Sequence, residues 1–140
     1  MRFHKTNLTV YTQGRGFYEI TPEINTSIQN WGVVEGMTYL FIPHTSASLV
    51  INESYDATAR CDLEAYLDHI APEGESWYVH TLEGRDDSPA HLRTMLTATS
   101  LTIPVDAGRL SLGTWQGVYL AEHRRRAHRR EILLRVLSVE

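Results

Sequence analysis

Short apolar or alternating runs, each cut off by glycine or proline, fill most of this chain and limit it to a fold in which strands dominate. Leu8 and Val10 alternate with Thr9 and Tyr11 inside residues 2–11, which predicts a first strand. Gly14 and Gly16 mark a turn after it, so Phe17–Ile20 is expected to pair back as a hairpin. Further strands are expected at Met37–Ile42, stopped by Pro43, and at the short buried run Leu49–Val50–Ile51. Leu101–Val105 carries Pro104 and should lie near an edge; the turn Asp106–Ala107–Gly108 returns into Arg109–Leu112. Val118–Glu122 and the long run Ile132–Val139 close the series.

Three helical patterns interrupt the strands. In the first, Thr21 is expected to cap, Pro22 to open, Ile24, Ile28 and Trp31 to form one face, and Gly32 to end the helix. Asn52, Glu53 and Asp56 lead into the second, where Ala59, Leu63, Tyr66, Leu67 and Ile70 make an amphipathic stripe closed by Pro72 and Gly74. Asp62, Glu64 and Asp68 fall off that stripe and read as a solvated face. The third takes Ser88 as N-cap and Pro89 as first helical residue, with Leu92, Met95 and Leu96 at spacings of three and four. Strands with three inserted helices define an α+β fold, and 140 residues form one domain, 1–140.

Composition narrows the class further. The chain is 42% hydrophobic and 21% charged, as in ordinary globular proteins. Its one cysteine, Cys61, excludes an internal disulfide and a cysteine metal site; it sits on a helix border and reads as an inert buried thiol. No apolar run is long enough for a membrane span and no signal peptide opens the chain, so a soluble cytoplasmic protein is expected. Net charge is −4, yet five arginines crowd into Arg124–Arg130 and leave a more acidic remainder. That basic loop reads either as a phosphate or nucleic-acid contact or as a solvated turn, and the acidic remainder argues against nucleic acid as a general partner.

Chemistry-bearing residues concentrate in Tyr78–His91, which holds two histidines, three carboxylates and Arg85 between a strand expected at Trp77–Tyr78–Val79 and the third helix. With His44, the pair His80 and His91 makes three imidazoles at element junctions, a set that suits zinc or another divalent ion with an open position. Glu53, Asp87 or Glu122 would orient those rings. His4, His69, His123 and His128 read as surface residues. Glu83, Asp86 and Asp87 suit a general base, magnesium ligands for a diphosphate, or a helix cap together with Ser88. Arg85, Arg109 and a loop arginine are candidate phosphate clamps. Ser46 lacks the Gly-x-Ser-x-Gly surroundings of a hydrolase nucleophile. Gly113–Thr114–Trp115–Gln116 reads as a turn aiming Gln116 into a pocket or as plain sheet geometry.

These residues carry a resemblance. His44–Thr45–Ser46–Ala47–Ser48–Leu49, Asn52–Glu53, Tyr78-x-His80, Glu83–Gly84–Arg85–Asp86–Asp87, Ala90–His91, Ile103–Pro104–Val105, Gly108–Arg109–Leu110 and Leu112–Gly113–Thr114–Trp115–Gln116 follow one another in the order seen in the YjbQ family, also called UPF0047 or secondary thiamine-phosphate synthase. The chain resembles that family over essentially its whole length. The resemblance implies an α+β, mostly antiparallel β-sandwich, a homotrimer, and a metal held by His44, His80 and His91 near a subunit boundary. Family members often carry a glycine-containing segment before a closing arginine after the position of Glu122. Here Arg124–Arg130 has no glycine and offers both Arg129 and Arg130 for that arginine.

Three activities follow as expectations. The first, which the resemblance names, joins a pyrimidine diphosphate to a thiazole phosphate with loss of pyrophosphate. It uses a divalent ion, zinc ahead of magnesium or manganese, with Glu83, Arg85 and Asp87 as catalytic candidates. Thr45, Ser46, Arg109, Thr114 and Gln116 are the candidate contacts to a small phosphorylated metabolite. The second is metal-dependent hydrolysis of a phosphorylated or acyl compound, and the third is a trimeric metal or metabolite binder without turnover.

Overall fold

The computed structural model describes residues 1–139. In chain order the described elements are β1 (Arg2–Tyr11), β2 (Gly16–Glu19), α1 (Thr21–Asn30), β3 (Glu35–Phe41), β4 (Ala47–Glu53), α2 (Ala57–Ile70), α3 (Asp87–Leu96), β5 (Ser100–Asp106), β6 (Arg109–Leu110), β7 (Gln116–Glu122) and β8 (Arg129–Val139). One sheet has the order β1-β8-β3-β5-β6 and the other β2-β7-β4. Every strand pair in them is antiparallel. The α+β fold is therefore as the sequence indicates.

Alternation explains how the two sheets share one core. On β8 the residues Ile132, Leu134 and Val136 are fully buried while their neighbours are half-buried or exposed. Leu40 of β3 and Ile103 and Val105 of β5 join them, facing Val118 and Leu120 of β7 and Leu49 of β4. Ile24 and Ile28 of α1 complete the same cluster. Each such side chain contributes roughly 1.5–3 kcal/mol of burial. Strand β7 is buried along both faces, because Tyr119 and Ala121 lie under α2 and α3. Arg60 of α2 sits over the Tyr119 ring, 5.7 Å from its centroid.

Several local expectations are corrected by long-range partners. Phe17–Ile20 does not form a hairpin with the first strand: β1 pairs with β8 and β2 with β7. Trp77–Tyr78–Val79 is not a strand but an irregular loop, with Trp77 and Val79 exposed, because no strand edge is offered to it. Thr21 does not cap α1; its hydroxyl accepts from the Val118 N–H at 2.8 Å. Ser88 does not cap α3, which starts at Asp87. The α3 face that packs inward carries Pro89, Ala90 and Arg93, whereas Met95 and Leu96 are exposed. On α2 Asp56 does cap, accepting from the Thr58 N–H, but only Leu67 of the stripe is fully buried. Cys61 is exposed rather than buried. Pro104 does lie near an edge, since only the two residues of β6 pair beyond β5.

Two polar clusters are buried at the end of β7, on its opposite faces. Glu122 accepts from Arg130 Nε at 2.8 Å, Arg130 Nη2 at 2.5 Å and the Thr12 hydroxyl at 2.7 Å. Burial alone would raise its carboxyl; these bonds and the Arg124 N–H outweigh it and hold the group below its ordinary value. His123, expected on the surface, is instead 1% exposed. Its Nε2 lies 2.8 Å from the Ser48 hydroxyl, which accepts from Thr97 at 2.6 Å. Burial, then the charge of Arg93, lowers the His123 pKa to about 3.

Two outcomes follow for stability. Arg130→Ala leaves a buried carboxylate without its main partner and should cost about 3–5 kcal/mol, read as a lower urea midpoint. The second outcome concerns acid. Because His123 titrates near 6.5 when unfolded and near 3 when folded, the unfolded chain binds more protons in that window. Stability should thus fall as pH drops below about 6.5, by up to about 1.4 kcal/mol per pH unit for this one group. His44, lowered first by burial and then by Arg130, acts in the same direction. His123→Phe should flatten the dependence of the urea midpoint on pH; an unchanged slope would contradict this assignment.

Candidate metal centre

The first turn of α3 and the loop before it assemble the candidate site. Asp87 and His91 are four residues apart on the helix and therefore share a face. Gly84, at φ +109°, turns the loop back so that His80 reaches the same carboxylate. Asp87 Oδ2 lies 2.8 Å from His80 Nε2 and 3.0 Å from His91 Nε2. These three ligand atoms fall within 4.8 Å of one another. The carboxylate side chain is 7% exposed, the rings 51% and 37%, so the base of the site is closed and its mouth open.

Hydrogen bonding fixes how the donors face each other. His91 Nδ1 lies 2.7 Å from the Thr45 carbonyl, which only accepts, so Nδ1 carries a proton there. In the neutral ring, Nε2 then turns a lone pair towards Asp87 Oδ2, and the contact needs a positive charge to hold it: an extra proton or a cation. Two imidazoles and a carboxylate are a donor set for zinc and for other divalent first-row ions. The other carboxylate oxygen, Asp87 Oδ1, accepts from Arg124 Nη1 at 2.7 Å. The Thr45 carbonyl and Arg124 are thus the outer contacts that orient two of the three donors.

Arg124 ties this centre to the end of β7. Its Nε donates to Asp86 Oδ2 at 3.0 Å, its Nη2 to the Glu83 carbonyl at 3.0 Å, and its own N–H to Glu122 Oε2 at 3.1 Å. Burial would raise the Asp86 carboxyl, yet the Arg125 N–H and the Arg124 guanidinium hold it below the usual range. Neither Asp86 nor Asp87 is engaged as a helix cap, because both carboxylates are turned towards this arginine. Three of the other four loop arginines also meet acids: Arg125 meets Glu73, Arg129 meets Glu131 and Arg130 meets Glu122.

The remaining candidates are distributed as follows. His44 is outside the converging group; its Nε2 accepts from the Glu131 N–H at 3.0 Å. Thr45 contributes its carbonyl, and Ser46 is buried against Arg130 Nη2 at 2.9 Å. Glu83 and Arg85 are exposed on the loop before α3. Glu53 accepts from the Tyr55 and Asp56 N–H groups ahead of α2. Arg109, Thr114 and Gln116 line a separate pocket of about 480 Å³ with Thr21, Asn25 and Asp106. Gln116 Oε1 accepts from the Gly113 N–H at 2.8 Å, closing its own turn. Gln116 and Glu122 occupy opposite ends of β7, roughly 20 Å apart at the rise of a strand. Within one chain these residues and the histidine cluster do not meet. Arg124 is legible in the sequence only as one of five loop arginines, and nothing local marks it as the partner of Asp87.

Comparison with known proteins agrees with this architecture. The family described as UPF0047 protein YjbQ-like matches residues 6–139. The UPF0047 protein sll1880 of Synechocystis sp. is 44% identical over 96% of this chain and 92% of its own length. The UPF0047 protein YjbQ of Salmonella typhimurium is 40% identical over 94% and 95%. Among solved structures, the conserved hypothetical protein TT1486 of Thermus thermophilus superposes with a TM-score of 0.85 at 37% identity, covering 94% of this chain and 99% of that one. An uncharacterised YjbQ/UPF0047 protein of Clostridium acetobutylicum gives 0.86 at 32% identity over the same shares. On these matches, which run through both sheets and the histidine-bearing helix, the chain belongs to the UPF0047 YjbQ-like family.

Proposed function

We propose that this protein is a metal-dependent enzyme acting on a small phosphorylated substrate, and that its reaction is thiamine-phosphate formation, as the family resemblance suggests. One observation supports the metal: two imidazole Nε2 atoms face the same Asp87 oxygen while Thr45 and Arg124 hold the far sides of the cluster. His80, Asp87 and His91 would hold the ion. When bound, it supplies positive charge beside a departing pyrophosphate. In this reaction the thiazole nitrogen forms a bond to the pyrimidine methylene carbon. The carbon–oxygen bond to the diphosphate breaks, and pyrophosphate leaves with the electron pair. Arg85, exposed two residues before Asp87, would hold a phosphate oxygen once its side chain swings from Gly74 towards the cluster, and Arg124 keeps Asp87 oriented. Glu83 stays at the rim.

The reading extends to a homotrimer, in which Arg109, Thr114 and Gln116 serve the histidine cluster of a neighbouring subunit. Their pocket lies at the far end of β7 from their own cluster. Apolar side chains stand exposed beside each half: Val79 at 93% and Leu82 at 98% near His80, Trp115 at 57% beside Gln116. Exposed apolar residues grouped in this way support such an interface.

Elemental analysis should find close to one divalent ion per chain, lost in His80→Ala/His91→Ala with the circular dichroism spectrum unchanged. Arg124→Gln should retain the site with affinity lowered roughly 10–100-fold. Metal-loaded protein should make thiamine phosphate from the two phosphorylated precursors, and the histidine double variant should not. Release of phosphate from simple esters without thiamine phosphate would transfer the site to hydrolysis; a metal-loaded protein inert in both assays would leave a binding protein. Light scattering should give a trimer, and Leu82→Asp should give monomers that bind metal but no longer turn over. A fully active monomer would sink the shared-site arrangement.

A further inference from the structure

A cleft of about 340 Å³ lies beside the end of β7, between β2 and β7 on one side and α2 and α3 on the other, with Glu122 in its wall. Its volume is at the lower end of small-molecule sites. Arg15, Arg93 and His123 line it together with the apolar Phe17 and Leu67.

Two guanidiniums in this cleft are short of acceptors. Arg93 is 3% exposed; its Nη2 donates to Asp68 at 2.9 Å and to the Ala71 carbonyl at 3.0 Å, while its buried Nε has no partner. Arg15 donates through Nε to the His123 carbonyl at 3.2 Å, and its buried Nη2 has no partner. Arg15 Nη1 is 4.0 Å from the same Asp68 oxygen, so two cations share one carboxylate, itself 65% exposed. Burial and then the charge of Arg93 lower the Arg15 pKa, outweighing the attraction of Glu73 and Asp68. Of the other acids, Glu64 and Glu122 line the cleft and Glu73 attracts Arg15, but Glu64 is exposed, Glu73 also holds Arg125 and Glu122 holds Arg130. The His123 ring stays neutral there.

We propose that this cleft binds the phosphoryl group of a small phosphate monoester, with the guanidiniums of Arg15 and Arg93 donating to its oxygens and the organic part against Phe17 and Leu67. A single guanidinium fork matches a planar carboxylate, whereas two guanidiniums from different elements match a tetrahedral dianion. The site does not depend on an ion at His80, Asp87 and His91.

Calorimetric titration of the whole protein with inorganic phosphate at constant ionic strength tests this. Wild type should bind saturably, Arg15→Gln at least about tenfold more weakly, and His80→Ala/His91→Ala within about twofold of wild type. Phosphate should also protect Arg15 from phenylglyoxal in the unaltered protein, read by peptide mass spectrometry, which covers the case of a variant that does not fold. Absence of saturable binding, unchanged affinity in a folded Arg15→Gln, or Arg15 labelled equally with and without phosphate would each overturn the assignment. Binding lost with the two histidines but kept in Arg15→Gln would overturn it as well, by placing the phosphate at the metal centre.

Discussion

The ion pair between Glu122 and Arg130 fixes the end of β7, and the polar architecture of the molecule depends on that strand end. Both side chains are buried, so the pair is stable only where geometry satisfies the remaining donors and acceptors. Thr12 donates to the carboxylate, and the Ser46 hydroxyl and carbonyl accept from the guanidinium. The Ser46 carbonyl also accepts from the His123 N–H, which ties the start of β4 to the end of β7. From that anchored point the chain leaves as Arg124, whose N–H is held by Glu122 and whose guanidinium spans Asp86 and Asp87. The residue before Ser46 is Thr45, which receives His91. Both outer contacts of the histidine cluster are therefore extensions of one buried pair.

What can be read from the sequence is what burial writes into periodicity. The alternation of β8 and the three-and-four spacing of α1 record a single buried face each, and both elements are where that pattern puts them. Asp87 and His91 are legible as neighbours for the same reason. Cap signals mislead here because Thr21 and Asp86 have partners far away in sequence, Val118 and Arg124, which outcompete the local helix end. Trp77–Tyr78–Val79 has strand composition, but such composition expresses a strand only against a neighbouring edge. His123 is invisible in the sequence because β7 is covered on both faces, so its alternation does not separate inside from outside. Its neighbour Glu122 points to the sandwich and His123 to the helices, and only the placement of α2 and α3 distinguishes them.

Positive charge is distributed in this acidic chain by the same logic of pairing. Arg124, Arg125 and Arg130 each meet a carboxylate of their own, so the loop that looks most basic in sequence has much of its charge neutralised by contacts within the chain. The less conspicuous Arg15 and Arg93, far apart in sequence, are the two that share Asp68. Locally consistent sequences avoid placing two guanidiniums beside one exposed carboxylate with donors left over, since each unpaired buried donor costs on the order of 1–3 kcal/mol. Departures from local consistency concentrate where a protein meets a ligand. The basic loop answers most of its own charge; the quiet pair is left with one exposed carboxylate and buried donors to spare, and charge that the fold leaves underanswered inside a cleft is the better guide to where an anion goes.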